Sequence, residues 1–185
     1  MEQHLCTCGA PLLARYDLDA ARAWRPDSLA GREPNMWRYR ELMPLFDGEQ
    51  PLTLGEGWTP LVHARRLGAA IGLRRLYVKD ESLNPTNSFK ARGQSAAITR
   101  AKYLGVTTVA LPTAGNAGNA AAAYSAAAGL ACEVFIPKDA KRPFVDECRL
   151  YGANEQQRRK RERSERSREA LGKRGVVEPA AGIIT

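Results

Sequence analysis

The feature that most constrains this chain is a regular alternation of strand-like and helix-like segments between residues 73 and 151. The apolar and β-branched segments predicted as strands are 73–79, 106–111 and 131–136. The segments with the length and spacing of helices are 88–104, 116–128 and 143–151. Because strands that alternate with helices form a parallel sheet covered by helices, the pattern predicts the α/β class.

Two glycines support the predicted helix boundaries, and two loops stand out as places for a ligand. Gly105 and Gly129 follow the first and second predicted helices, where glycine commonly ends a helix. In parallel sheets, ligands bind beyond the carboxyl ends of the strands. Because loops 80–90 and 112–118 each follow a predicted strand, we expect the functional residues to lie in these loops.

The regular pattern divides the chain into three predicted regions. Residues 1–50 are interrupted by prolines, so we expect an arm without long helices, and residues 51–154 form the α/β core. Residues 155–185 hold nine Lys or Arg and five Asp or Glu, which is about half of the net charge of +8. Because residues 155–163 have no apolar face at any period, we expect a solvated helix or disordered tail that does not pack on the sheet. The sheet edge after residue 136 would then be open to association between copies, so a homo-oligomer is possible.

The composition excludes a membrane-embedded chain and gives no sign of export. No apolar run approaches the roughly 18–20 residues that a membrane helix needs. Met1 is not followed by the basic and then apolar stretch of a signal peptide. The expected compartment is therefore the cytoplasm.

The four cysteines do not suggest a disulfide framework. Cys6 and Cys8, with His4 nearby, could form half of a zinc site, but a structural zinc ion needs four ligands and no second cysteine pair follows. No metal is therefore predicted. Cys132 and Cys148 lie among apolar residues, and we expect them to be inert core thiols.

Lys90 is the first candidate for chemistry. It lies in the first turn of a predicted helix, where the helix dipole disfavours a cation by about 0.3–1 kcal/mol. This position favours a neutral amine, which can attack an aldehyde. The alternative is a surface lysine whose aliphatic stem covers apolar surface.

The second candidate is the loop from residue 112 to 119, where a strand ends and a helix begins through small residues. Free backbone N–H groups at a helix start bind anions, and small side chains let a ligand approach the backbone. The carboxylate of an amino acid would suit this loop. Asn116 could hydrogen-bond a ligand, or it could simply cap the helix.

Residues 77–93, Tyr-Val-Lys-Asp-Glu-Ser-Leu-Asn-Pro-Thr-Asn-Ser-Phe-Lys-Ala-Arg-Gly, resemble the cofactor-lysine segment of fold-type-II pyridoxal-phosphate enzymes. The shared motif, Pro-Thr-x-Ser-Phe-Lys-x-Arg-Gly, is complete from residue 85 to residue 93. Residues 113–117, Thr-Ala-Gly-Asn-Ala, are similar to the Ser/Thr-x-Gly-Asn loop of the same family. The two motifs occur in the family's order, about 25 residues apart.

This resemblance implies a fold, a cofactor and roles for particular residues. The implied fold is a fragment of a three-layer parallel sheet with helices on both faces, and the cofactor is pyridoxal 5'-phosphate. Lys90 would be the Schiff-base lysine that holds the cofactor, and Asn116 would contact the cofactor's ring hydroxyl. The loop that would bind the carboxylate of a small amino-acid substrate consists of Thr113, Ala114, Gly115, Asn116 and Ala117.

Within the family, the chain looks like a threonine synthase. The Cys-x-Cys-Gly-x-Pro-Leu run from Cys6 and the segments 37–42 and 55–61 look like threonine synthases with a cysteine-bearing arm. Dehydratases usually lack that arm and have a histidine where this chain has Ala117. The implied reaction converts O-phosphohomoserine to threonine and phosphate. A serine/threonine dehydratase or another β/γ-elimination lyase of this fold is the alternative.

The resemblance covers about residues 5–154 and stops there. The family's glycine-rich loop for the cofactor phosphate and its partner for the pyridine nitrogen are not found in these 185 residues. We therefore expect the chain to be inactive by itself, and residues 155–185 look like an aberrant tail. Nucleic-acid binding through residues 158–174 is a further alternative. Acidic residues throughout this run and the absence of interleaved aromatics weaken it.

Overall fold

The computed structural model describes residues 6–8, 10, 15–22, 25–158 and 176–177. The first elements in chain order are α1 (Leu18–Arg22), α2 (Pro26–Ala30), a 3₁₀ helix (Met36–Leu42), β1 (Leu61–His63), α3 (Arg65–Ala70) and β2 (Tyr77–Lys79). They are followed by two 3₁₀ turns (Glu81–Leu83 and Pro85–Asn87), α4 (Lys90–Tyr103), β3 (Thr108–Pro112), α5 (Asn116–Ala128), β4 (Ala131–Pro137), α6 (Arg142–Leu150), β5 (Asn154–Arg158) and β6 (Val176–Val177). Within these ranges, no helix combines the length and the apolar character needed to cross a membrane.

The main sheet has four parallel strands in the order β5-β4-β3-β6. Helix α5 connects β3 to β4, and α6 connects β4 to β5, so each of these two adjacent pairs is joined by a helix. The bounds predicted for α5 agree with the structure, and Gly129 ends the helix with φ 71°. The α/β class with a parallel sheet and packed helices is confirmed.

The main core lies between the sheet and helices α5 and α6. Leu111 of β3 and side chains at alternate positions of β4 form this cluster with the two helices, and its central members are Leu111, Ala121, Ala122, Cys132, Val134, Ile136, Val145 and Cys148. A neighbouring cluster joins α4 to β3 and α5 through Ala91, Ile98, Val109 and Tyr124. These contacts fix helices α4 and α5 beside each other, with the start of each helix next to one of the two predicted loops.

The strand predicted at residues 73–79 is only partly correct. Only Tyr77–Lys79 is extended, and it pairs antiparallel with β1 rather than joining the main sheet. Residues 73–76 instead close the end of α3, where the Leu73 N–H donates to the Gly68 carbonyl at 2.8 Å. The loop after residue 80 therefore follows a separate two-stranded ribbon. Of the two loops predicted to bind a ligand, only the loop after β3 lies at the carboxyl end of the parallel sheet.

The prediction that residues 155–185 do not pack on the sheet is wrong for residues 155–158 and 176–177, which lie in β5 and β6 beside β4 and β3. Strand β5 pairs with β4 from Glu133↔Asn154 to Pro137↔Arg158. An edge strand is held by backbone hydrogen bonds and needs no apolar face, which is why periodicity missed it. Glu155 accepts a hydrogen bond from Arg149 Nε of α6 at 2.9 Å. The edge of β4, which we expected to be open, is therefore covered by β5. Residues 159–175 and 178–185 lie outside the described residues.

Candidate functional site

Lys90 is the first residue of α4, where the sequence places it. Its side chain is half-buried, and the ammonium nitrogen lies 4.8 Å from the centre of the Phe89 ring. Its backbone N–H donates to Ser88 Oγ at 3.3 Å. No carboxylate among the described residues forms an ion pair with its amine. The amine is therefore available to a ligand.

The loop that precedes Lys90 is tied to α4 by a charged pair. Arg92 Nε donates to Glu81 Oε2 at 2.6 Å, and Arg92 Nη2 donates to Glu81 Oε1 at 2.8 Å. Such a two-point contact fixes orientation as well as distance. The hydrogen bonds from Arg92 lower the pKa of Glu81 to about 2, with Thr59 and Asn84 adding to the effect against the opposing cost of burial.

Two further polar residues extend this contact to the segment around residue 57. Thr59 Oγ1 donates to Glu81 at 2.6 Å, and Asn84 Nδ2 donates to the Glu81 carboxylate at 3.0 Å. The Oδ1 atom of Asn84 accepts from the Gly57 N–H at 3.0 Å. Thr59 and Asn84 are both buried. We call the four side chains Thr59, Glu81, Asn84 and Arg92 the Glu81 clamp.

The loop held by the Glu81 clamp contains two consecutive residues with positive φ, of which Thr86 is the strained one. Thr86 has φ 57° and Asn87 has φ 53°, so two consecutive non-glycine residues adopt the left-handed region. For a β-branched residue such as Thr86 this conformation is a true outlier. Strain of this kind persists where the surrounding structure holds it, and it concentrates at functional sites.

The second predicted loop connects β3 to α5 and is held by one hydroxyl. Thr113 Oγ1 accepts from the Gly115 N–H at 3.2 Å and from the Gly118 N–H at 3.1 Å. A methyl group on Gly118 would lie 2.5 Å from Thr113 Cγ2 and 3.0 Å from Val134 Cγ1. Glycine at position 118 is therefore what lets the first turn of α5 approach β3 closely.

Asn116 does not cap α5, which corrects one of the two alternatives for this residue. Asn116 is the first residue of the helix, and Gly115 occupies the capping position. The hydroxyl of Thr113 accepts the Gly118 N–H of the first turn, as a capping side chain would. The side chain of Asn116 is exposed, and within the described part of the chain no hydrogen bond to it is found. Ala114 is exposed beside it, whereas Gly115 and Ala117 are half-buried. The amide is thus free to meet a ligand.

The structure brings the two loops to the same helix. The Pro85–Asn87 turn contacts α5, whose first residue is Asn116, and α4 packs along α5. The loop that leads into Lys90 and the helix that begins at Asn116 therefore pack against each other. A lysine amine that attaches an aldehyde, an amide that meets a ring oxygen and N–H groups that bind an anion fit pyridoxal phosphate with an amino acid.

A buried carboxylate lies behind this region and connects the arm to both helices. Glu56 is fully buried and accepts from Trp37 Nε1 at 2.9 Å, Ser95 Oγ at 2.6 Å and the Leu54 N–H at 3.0 Å. Tyr124 of α5 donates at 2.5 Å to Oε2, the oxygen that also accepts from the Leu54 N–H. Burial and this hydrogen bond raise the pKa of Tyr124. Glu56 therefore links residue 37 of the arm to α4 and α5.

The cysteines behave as the sequence predicts where the structure describes their surroundings. Burial raises the pKa of Cys132 to about 11 and that of Cys148 to about 12, so both thiols stay protonated in the core. Cys148 donates to Asn119 Oδ1 at 3.4 Å. Across the described ranges, no group of three or more His, Cys, Asp or Glu side chains could hold a metal ion. His4 lies outside those ranges.

Two contributions to the site were missed by the sequence analysis. Arg92 and Glu81 both lie in the recognised segment, but no role was assigned to them. A physical signal was present, because an arginine in the first turn of a helix opposes the helix dipole and calls for an acidic partner. The capping role of Thr113 carried no such signal, since a threonine three residues before a helix start is common in loops.

The chain is similar to one protein family, to curated relatives and to solved structures. The profile of the family described as pyridoxal-phosphate dependent enzymes matches residues 52–178. The threonine synthase of Methanocaldococcus jannaschii is 40% identical over 136 residues, covering 73% of this chain and 34% of the relative. The threonine synthase of Methanosarcina acetivorans is 44% identical over 104 residues, covering 56% of this chain and 25% of the relative. A crystal structure of a pyridoxal 5'-phosphate-dependent aspartate racemase superposes with a TM-score of 0.61 at 30% identity, covering 66% of this chain and 40% of the racemase. The chain thus spans a quarter to a third of the length of these curated relatives.

Proposed function

Because the chain belongs to the pyridoxal-phosphate-dependent enzyme family, we propose that it supplies the lysine-bearing part of a threonine synthase. The reaction joins O-phosphohomoserine and water to give threonine and phosphate. The observation that carries this proposal is the amine of Lys90 at the start of α4, together with the start of α5, where the Asn116 amide is exposed and the N–H groups of Asn116 and Ala117 are not bound by the Thr113 hydroxyl. The threonine synthases of two archaea are similar to this chain over its core.

The side chains of the two loops divide the work in this proposal. Lys90 would hold the cofactor through its amine, and the same amine would carry a proton to or from the substrate carbon. Asn116 donates to the ring oxygen of the cofactor, and the N–H groups at the start of α5 bind the substrate carboxylate. Pyridoxal phosphate, when bound, supplies an electron sink for bond breaking next to the amino-bearing carbon.

Thr113 and Gly118 have a supporting part in this scheme. The hydroxyl of Thr113 accepts hydrogen bonds from the N–H groups of Gly115 and Gly118. The N–H groups of Asn116 and Ala117 therefore remain for the carboxylate. The close approach at Gly118 keeps this part of the loop against β3. A carboxylate bound there would be positioned by the rigid sheet rather than by a mobile side chain.

The 185 residues alone are proposed to lack turnover. The cofactor phosphate in this family is held by a glycine-rich loop that these residues do not include, and each charge-assisted hydrogen bond lost there is worth about 1.5–3 kcal/mol. The proposed compartment is the cytoplasm, whose reducing conditions suit the free thiols of Cys132 and Cys148. Purified chain with pyridoxal phosphate should therefore release no phosphate from O-phosphohomoserine in a saturable manner.

A chimaera tests the reaction itself. Residues 52–154 of this chain replace the equivalent segment of the Methanocaldococcus jannaschii threonine synthase, and phosphate release from O-phosphohomoserine is measured beside keto-acid release from threonine. We expect phosphate release that disappears in the Lys90→Ala chimaera. A folded chimaera that deaminates threonine and leaves O-phosphohomoserine unchanged would support the dehydratase alternative instead. A folded chimaera with neither activity would contradict both assignments.

A further inference from the structure

We propose that Arg92 is a positioning residue, which sets the place of the Lys90 amine by holding the preceding loop against α4 through Glu81. This inference rests on the proposed role of Lys90 and adds a residue to it. Arg92 would touch neither the cofactor nor the substrate. Its effect would reach Lys90 through residues 81–89, the segment that leads directly into the first turn of α4.

The direction of the Arg92 side chain supports an indirect role. Residues two apart on a helix do not face each other, so Arg92 and Lys90 point to different sides of α4. Arg92 is engaged with Glu81 through two hydrogen bonds of 2.6 and 2.8 Å and reaches Thr59 Oγ1 at 3.4 Å. The arginine therefore fixes the loop on one side of the helix and leaves the lysine free on the other.

The loop needs such a restraint because its backbone is strained. Thr86 and Asn87, which adopt φ 57° and φ 53°, separate Glu81 and Asn84 from Ser88 and Lys90 along the chain. Without an external hold, these residues would relax toward ordinary φ values and shift Ser88, whose Oγ accepts the Lys90 N–H. Glu81 and Asn84 lie before this stretch and Arg92 lies after it, so their contacts hold both of its ends and are placed to keep the conformation.

Arg100 provides a matched control on the same helix. Its Nη1 donates to both carboxylate oxygens of Glu49, at 3.0 and 2.8 Å, and both partners are at least as buried as Arg92 and Glu81. Arg100 lies eight residues after Arg92, about 12 Å further along α4. The loss of Arg100 should therefore weaken the packing of α4 as much as the loss of Arg92, without moving the loop before Lys90.

The experiment measures how selectively pyridoxal phosphate labels Lys90 in the purified 185-residue chain. Borohydride makes the bond between the cofactor's aldehyde carbon and a lysine nitrogen permanent, and peptide mapping gives the label on Lys90 relative to exposed Lys102 of the same helix. We expect this ratio to fall about tenfold in Arg92→Gln and in Glu81→Gln, and less than twofold in Arg100→Gln. In Arg92→Lys, which keeps the charge but offers one contact point, the ratio should fall about threefold.

Hydrogen–deuterium exchange of residues 81–89 gives a second readout that needs no cofactor. Exchange should become faster in Arg92→Gln and stay unchanged in Arg100→Gln. If Arg92→Gln does not fold, the decision rests on Arg92→Lys, for which unchanged labelling would overturn the inference.

Three results would overturn it. Equal losses of Lys90 label in Arg92→Gln and Arg100→Gln would reduce Arg92 to a structural residue. An unchanged ratio in Arg92→Gln, or a lower ratio without faster exchange in residues 81–89, would also contradict the inference. A wild-type chain that shows no preference for Lys90 would instead contradict the proposed function, and with it this inference. The wild-type measurement alone distinguishes this case from a failure of the Arg92 inference only.

Discussion

The two loops of the candidate site are held in place by different kinds of interaction. The loop before Lys90 follows an exposed two-stranded ribbon and is fixed by side chains, chiefly the pair formed by Arg92 and Glu81. The loop before Asn116 leaves a buried parallel strand and is fixed by close packing and by one neutral hydroxyl. The first loop should therefore respond to charge and pH, and the second to the size of its side chains.

The largest expected effect tests the packed loop. Gly118→Val adds a side chain whose first carbon would lie 2.5 Å from Thr113 Cγ2, so α5 must move away from β3. Overpacking of this kind costs about 1–3 kcal/mol, and we expect the upper end because Val134 also blocks the site. Urea unfolding of the purified chain measures the change in the free energy of unfolding.

Gly93→Ala is the control for that substitution. Gly93 lies in α4 near Lys90, and nothing lies within 4 Å of an added methyl group there. Alanine favours a helix over glycine by up to about 1 kcal/mol, so this variant should be neutral or more stable. If the two glycine variants were equally destabilised, steric packing would not distinguish the second loop.

The next effect tests the charged loop through pH. The pKa of Glu81 is lowered from its ordinary value of 4.5 to about 2 in the folded state, so its ionisation stabilises the fold above pH 4.5. This stabilisation is lost as pH falls from 4.5 to about 2. Glu81→Gln should therefore be less stable than the wild-type chain by about 2 kcal/mol near neutral pH, a value reduced for partial exposure, and equally stable below pH 2.

Unfolding free energies of both chains, measured from pH 2 to pH 7, test this expectation. A difference that stays constant across this range would show that the Glu81 carboxylate stabilises the loop by shape alone.

A smaller effect tests the neutral hydroxyl of the second loop. Thr113→Val keeps the shape and removes the acceptor for the N–H groups of Gly115 and Gly118, which should cost about 1–2 kcal/mol. The loss should not vary between pH 4 and pH 7, in contrast to that of Glu81→Gln, because no charge is involved. Thr113→Ser should recover most of the stability. Failure of serine to do so would assign the effect to the lost methyl contacts instead.

The smallest effect on stability is expected at Asn116. Its side chain is exposed and does not cap α5, so Asn116→Ala should change the free energy of unfolding by less than about 0.5 kcal/mol. Binding of pyridoxal phosphate, followed by absorbance, should nevertheless weaken. A loss of about 1 kcal/mol in stability with unchanged cofactor binding would mean that Asn116 caps the helix after all.

The contrast between the loops also explains what could be predicted from sequence. The bounds of α5 followed from alanine-rich periodicity and a closing glycine, because local propensity and the sheet favour the same structure there. The ribbon strand at Tyr77–Lys79 and the edge strand β5 were misjudged, since both depend on backbone pairing with distant segments. The roles of Lys90 and Asn116 come from the motif resemblance and stay predictions. The pairing of Arg92 with Glu81 and the capping by Thr113 required the folded positions of both partners.

The central claim is that Lys90 carries the cofactor, and covalent trapping tests it most directly. The purified chain is incubated with increasing pyridoxal phosphate, reduced with borohydride and mapped by peptide mass spectrometry at each concentration. The predicted result is a label on Lys90 that saturates at the lowest concentrations, while Lys102 and the other lysines react only in proportion to added cofactor. An unmodified Lys90 beside saturable labelling of another lysine would contradict the claim.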